Sequence, residues 1–184
     1  MIFGISPNGS NKTFKLNVLA KDPNPAIKDA IKCSYEHNWM AEYTSSRFFT
    51  FIREILTQKY SVDDDWYEHL FYSNLMKIAP IDNKGGKPSN IEYSCQLELC
   101  LKLLKLEIAS YKPKNVVIVA GYNWATDFLM SLNIDINHSL ARKTKYFLGR
   151  FNYKKTNIIV VARPDRISVL ERNRLIKTTT KNIA

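Results

Sequence analysis

The run Arg163-Pro164-Asp165-Arg166 follows directly on the β-branched stretch Ile158–Val161 and Ala162. A guanidinium is permanently charged and presents a planar fork of donors. It can clamp a phosphate through two bonds or offset charge on a departing anion. Asp165 can pair with either arginine and hold such a loop rigid. Asn74 closes another apolar stretch, "LFYSN". One amide both donates and accepts, so it can read the edge of a pyrimidine; an amide there also suits a turn. Phe48 and Phe49 offer ring faces for stacking, and equally suit a core. Lys77 and Lys87 are candidates for phosphate contact, or solvated lysines. These side chains recognise anions and planar rings.

Metal and thiol chemistry find little support. The cysteines are Cys33, Cys95 and Cys100, with no CxxC spacing. This argues against a disulfide framework or zinc site and for a reducing compartment. Cys95 and Cys100 read as core or near-core thiols. No GxGxxG, Walker loop or HExxH occurs, so a general nucleotide-handling enzyme is the weakest reading. No metal or cofactor is expected.

The elements that must position these residues follow from periodicity. "MIFGI" is wholly apolar, as a central strand should be, whereas "TFKLNVLA" alternates like a half-exposed one. "NPAIKDAIKCSYEHNW" reads as a helix with Asn24 as N-cap and Pro25 in its first turn. "SSRFFTFIREILTQK" is a helix with Ser46 as cap and Phe48, Phe51, Ile52 and Ile55 on one face. "LFYSNLMKIAP" contains a strand ending near Asn74, and "DNKGGKPSN" is a loop. Leu97, Leu101, Leu104 and Ile108 predict a helix over about 91–111, stopped by Pro113. "NVVIVAG" and "NIIVVA" are buried strands, "TKYFLGRF" another strand, and "NWATDFLMSL" and "SVLERNRLIK" helices. Alternating strands and helices predict an α/β fold: one domain over residues 1–184, a three-layer α/β/α sandwich on a mostly parallel sheet of about four strands. Sites in such sheets lie beyond the carboxyl ends of the strands. The candidate loops are "GISPNG", "SNLMKIAP", "AGYNW" and "ARPDR".

Charge points to a partner. Of the 184 residues, 27 are Lys or Arg and 17 Asp or Glu, a net +10. Residues 1–111 carry 13 of each sign, while residues 112–184 carry 14 basic and 4 acidic side chains. The whole excess lies in the second part, and a one-sided basic field attracts polyanions, nucleic acid first. No apolar run approaches the roughly 18 residues a membrane span needs. Met1 leads into a short apolar stretch and a glycine loop, not a leader pattern. The expected partner is nucleic acid or a nucleotide, with no membrane, and the expected location is intracellular, cytoplasmic or nucleoid-associated.

The order of these stretches resembles the uracil-DNA glycosylase superfamily. "YSNLMKIAP", a Gly/Pro loop, a long helix ending near Glu107, and "YKPKNVVIVAG" with its following helix look like the middle of that family. "SRFFTFIREIL" resembles the Arg-Phe-Trp helix of its mismatch-specific branch. "TNIIVVARPDRIS" resembles that branch's second active-site motif, a strand followed by Asn-Pro-Ser-Gly, or His-Pro-Ser in other branches. The resemblance implies a DNA glycosylase that flips a base out and hydrolyses its N-glycosidic bond. Some branches carry an iron–sulfur cluster; Cys100 falls near one ligand position, but without a CxxC pair no cluster is expected.

The resemblance implies roles for individual residues. Asn74 matches the base-reading Asn, and Phe48 or Phe49 stacks on the base. The first motif, a glycine followed by a water-activating polar residue, fits either "GISPNG" or "LNVLAKDPNP". The first register supplies Ser6 and Asn8, the second Asp22 or Asn24; the apolar strand of the first favours it. Arg163 stands where the family has His or Asn, and Asp165 and Arg166 where it has Ser and Gly. Arg166 joins Lys77 and Lys87 as a DNA contact. Ile167 stands where the family inserts an apolar wedge into the duplex, and equally suits packing on the core. The altered loop keeps open a base other than uracil. It also keeps open a nucleic-acid-binding protein of the same fold that does not cleave.

Overall fold

The structure, a computed structural model, describes residues 1–4, 46–62, 64, 66–77, 88–136 and 146–184. The expected strand at "TFKLNVLA" and helix at "NPAIKDAIKCSYEHNW" lie outside them. The chain divides into two compact units. The first holds residues 1–3, 39–73 and 112–184, the second residues 4–38 and 74–111.

The first unit is built on β3 (Asn115–Val119) and β5 (Thr156–Val161). They pair in parallel from Asn115 opposite Asn157 to Val119 opposite Val161. β5 is buried throughout and β3 beyond its first residue, as a central parallel strand requires. β1 (Ile2–Gly4) joins the other side of β3 in parallel. β2 (Tyr72–Asn74) flanks β1: Ile2 N–H donates to Phe71 O at 2.8 Å and Leu75 N–H to Gly4 O at 2.9 Å, a parallel pattern. β4 (Phe147–Tyr153) folds back antiparallel onto β5 through the two-residue link Lys154-Lys155. The order is β2-β1-β3-β5-β4, five strands where about four were expected. β1 and β2 fall on the stretches "MIFGI" and "LFYSN", both expected as strands. Outer strand β4 has a register shift at Phe147/Gly149 and exposed Arg150 and Asn152, features that discourage further pairing.

Helices cover both faces of these strands. Ile2, Val117, Val119, Ile159 and Val161 share one core with α1 (Arg47–Tyr60) and α4 (Val169–Asn182), through Phe51, Ile52, Ile55, Leu175 and Ile176. The intervening Val116, Ile118, Ile158 and Val160 are equally buried and point the other way. There α3 (Tyr122–Ser131) lies against β5, burying Ala125, Phe128 and Leu129. The result is the three-layer α/β/α arrangement. Ser46 caps α1 as expected, accepting from Phe49 N–H. Ser168 and Glu171 form a reciprocal capping box at the start of α4.

In the second unit, α2 (Asn90–Tyr111) opens with its own reciprocal bonds between Ser89 and Glu92. Its buried seam is Gln96, Cys100, Leu104 and Ile108. The expected Leu97 and Leu101 are only half-buried. The first turns are thus rotated by one position from the apolar pattern, because Gln96 is drawn inward by a hydrogen bond described below.

Loss of the α4 cap in Ser168→Ala is expected to cost about 1 kcal/mol. Urea denaturation followed by circular dichroism would measure it; an unchanged midpoint would show that the cap contributes nothing.

Candidate functional site

In the first unit, the carboxyl ends of β3 and β5 lie side by side, and each delivers a candidate loop. After β3, Gly121 takes φ +84° and serves as N-cap of α3. Its N–H donates to Val161 O at 3.0 Å, tying this turn to the end of β5. A Cβ at Gly121 would meet no atom within 4 Å, so the left-handed backbone, not crowding, favours glycine here.

After β5, Pro164 excludes the helical region for Arg163, which is extended at φ −65°, ψ 134°. Pro164 then starts a short 3-10 turn, Pro164–Arg166. Arg163 Nε donates to Asp165 Oδ1 at 3.0 Å, with both side chains about one-third exposed. Arg47 Nη1, from the first turn of α1, donates to Asp165 O at 3.1 Å. Asp165 therefore links two arginines 116 positions apart in sequence, one through its carboxylate and one through its carbonyl. The loop is braced, and the Arg163 guanidinium it carries is one-third exposed and bonded to the Asp165 carboxylate.

Ile167 does not project from this loop. It is half-buried against the first unit's core, so its packing alternative holds in this conformation. Val169 and Leu170, in the first turn of α4, project instead, 66% and 61% exposed. Phe49 is buried; its ring meets Tyr72 edge-on at 5.5 Å and Phe48 at 5.2 Å. Phe48 is half-buried and touches the same Tyr72 at 5.8 Å. Of the two aromatics, Phe49 is a core ring and Phe48 is a half-buried ring packed beside it.

The second unit holds a different arrangement. Asn74, closing β2, is buried. Lys77, read from sequence as a surface phosphate contact, is buried as well. Its Nζ donates to Asn74 O at 2.7 Å and to Glu107 Oε1 at 3.0 Å. Its backbone N–H donates to Gln96 Oε1 at 3.0 Å, and Cys100 Sγ lies 3.6 Å from the same oxygen. Lys77 thus pins the turn after Asn74 onto α2. Burial pushes the Cys100 thiol up to about 11. That is the signature of an inert structural cysteine, not a nucleophile.

Ser6, Asn8, Asp22 and Lys87 lie outside the described residues, as does the side chain of Arg166. The choice between "GISPNG" and "LNVLAKDPNP" falls there too. Among the described residues no three His, Cys, Asp or Glu side chains come together to hold a metal. No described helix is long and apolar enough to cross a membrane. A cavity of about 220 Å³ in the first unit is lined by Met1, Tyr60, His69, Lys114 and Asn115, among others. It sits at the start of β1 and β3, the opposite edge from the loops that follow β3 and β5.

Sequence reasoning passed over Arg47, Gln96 and the partner of Lys77. Gln96 carried a signal, being four residues before Cys100 and eight before Leu104 on one helix face. Arg47 carried none, because its contact is entirely long-range. The chain matches no protein-family model and no curated protein sequence.

Two outcomes follow from the second unit. Glu107→Gln removes the carboxylate paired with the buried Lys77 ammonium and should cost up to about 3–5 kcal/mol in urea denaturation. A double change of Lys77 and Glu107 to Met should recover most of that loss; no recovery would contradict a charge-based cause. The raised Cys100 pKa also gives a pH dependence. The folded state holds the thiol proton more tightly than the unfolded chain, so stability is full below pH 9. It should fall as pH rises from about 9 to about 11, by up to roughly 3 kcal/mol. Cys100→Ala should remove that portion of the alkaline slope; an identical slope would refute it.

Proposed function

We propose that this protein is a DNA glycosylase-like enzyme that takes a base out of the DNA stack and hydrolyses its N-glycosidic bond. The observation that carries the reading is the braced Arg163–Asp165 loop at the carboxyl end of β5, held by Arg47. The order of motifs in the chain supports the same reading. Breaking a glycosidic bond gives the sugar cationic character and sends the base away as an anion. Arg163, fixed by Asp165, offers a positive charge to that leaving base without reorganising during the reaction. It is not a proton donor, since a guanidinium does not give up its proton near neutral pH.

The other roles follow from the same chemistry. Phe48, in the same unit as Arg163, is assigned the stacking surface; Asn74 is the base-edge residue that the family resemblance implies. The water-positioning group belongs to the N-terminal stretch, with Ser6, Asn8 and Asp22 as candidates. Lys77 is reassigned from phosphate contact to positioning the turn that follows Asn74, because Glu107 neutralises it.

A second reading, a nucleic-acid-binding protein without cleavage, is favoured by one feature of the same loop. The arginine at the leaving-group position already has a carboxylate partner, a residue type that would repel an anionic base.

The deciding experiment is an abasic-site assay on single- and double-stranded oligonucleotides carrying uracil or one of a series of modified bases. Arg163→Gln should lower excision by about 10²–10³-fold while DNA affinity is largely kept. An equal loss of affinity and excision would assign Arg163 to phosphate clamping. Salt-sensitive binding with no product across the series would replace the enzyme with the binding protein.

A further inference from the structure

Most described basic residues of the C-terminal part do not lie near the Arg163 loop. Lys114 immediately precedes β3, and Lys155 immediately precedes β5. Those two starting points are in contact: Asn157 N–H donates to Lys114 O at 2.9 Å, and Thr156 Oγ1 donates to Pro113 O at 2.8 Å. Lys112 stands two residues before Lys114, and Lys154 forms the hairpin tip with Lys155. The end of α4 is fastened to the same place. Asn157 Nδ2 donates to Asn182 O at 2.8 Å and Asn115 Nδ2 to Ala184 O at 3.1 Å, which brings Lys181 alongside.

These five lysines, Lys112, Lys114, Lys154, Lys155 and Lys181, are all exposed. None makes an ion pair with a described residue. Lys154 lies over the Tyr153 ring at 5.3 Å. Arg150 adds a further exposed cation, held beside the patch by a 2.7 Å bond to Asn157 Oδ1. Of the four acids of residues 112–184, Asp165 and Glu171 lie at the opposite edge and Asp127 lies on α3, while Asp135 follows α3; none of the four is ion-paired with these lysines.

We infer that this amino edge of the sheet is a second contact surface, which binds the phosphate backbone of nucleic acid without reading sequence. Five unpaired charges at one edge repel one another, and a polyanion relieves that repulsion while releasing its own counterions. Lysine is a point charge with rotatable donors, suited to a backbone of variable geometry more than to one fixed bidentate ligand. The flanking Tyr153 ring suits a nucleic acid, which pairs phosphates with stacking surfaces. A lipid surface is the weaker fit: the two most exposed aliphatic side chains of the unit, Val169 and Leu170, project at the far edge, so their insertion would not bring these lysines to the lipid. The inference does not need the chain to excise a base.

The test uses the full chain and fluorescence anisotropy with a labelled oligonucleotide, single- and double-stranded, between about 50 and 200 mM salt. If the five lysines each neutralise one duplex phosphate, they contribute about −4.5 to the slope of log K against log salt. Changing all five to Gln should remove most of that slope and weaken binding roughly tenfold or more at the lower salt. Circular dichroism should be unchanged, since every substituted side chain is exposed. Arg163→Gln should change the slope by no more than about one. Wild-type slope and affinity in the five-fold variant would overturn the surface. So would equally tight, lysine-dependent binding of polyglutamate or phosphatidylserine vesicles, which would make the partner an acidic protein or a lipid. An excision assay that fails while lysine-dependent DNA binding persists would remove the proposed enzyme and leave this surface standing.

Discussion

The first unit depends on the parallel pairing of β3 with β5. Val116–Val119 and Ile158–Val161 are buried on both faces, each side chain contributing about 1.5–3 kcal/mol relative to exposure. That pairing fixes both ends of the unit. At the carboxyl end it places the Gly121 turn beside the Arg163 loop, joined through Val161 O. At the amino end it sets Asn115 beside Asn157, whose amides hold the last residues of α4. A buried strand cannot leave polar groups unmet, so its two ends are where polar chemistry gathers.

The two edges of the unit solve different electrostatic problems. At the carboxyl edge, charges are locally compensated. Asp165 sits between Arg163 and Arg47, and Glu171 closes the cap of α4. Such pairing orients side chains and restrains a loop. At the amino edge the lysines carry no described acid against them, so the field extends outward. One edge suits a defined group held in one place; the other suits a long, repeating anion.

Within the second unit, a buried polar cluster replaces part of the apolar seam expected of α2. Lys77, Gln96 and Cys100 bond to one another or to the turn at Asn74, and Lys77 pairs with Glu107 Oε1, while Glu107 Oε2 is buried without a hydrogen bond. A charged pair in such a place adds little net stability over well-packed apolar residues. What it supplies is position: the turn has one place to sit, because moving it would strand a charge.

The element order, the cap at Ser46 and the buried central strands were legible in the sequence, because periodicity and capping are local. The charge asymmetry was also legible, as a count. Its placement was not: the parallel register and the anchoring of α4 decided that the lysines gather at the edge opposite Arg163. The character of Lys77 and Ile167 was open for the same reason. A lysine reads as solvated until a carboxylate thirty residues away is brought to it, and an isoleucine in a loop reads as either wedge or core until its neighbours are known. Local sequence determined which elements form; the burial of one parallel strand pair decided which charges are compensated and which face outward.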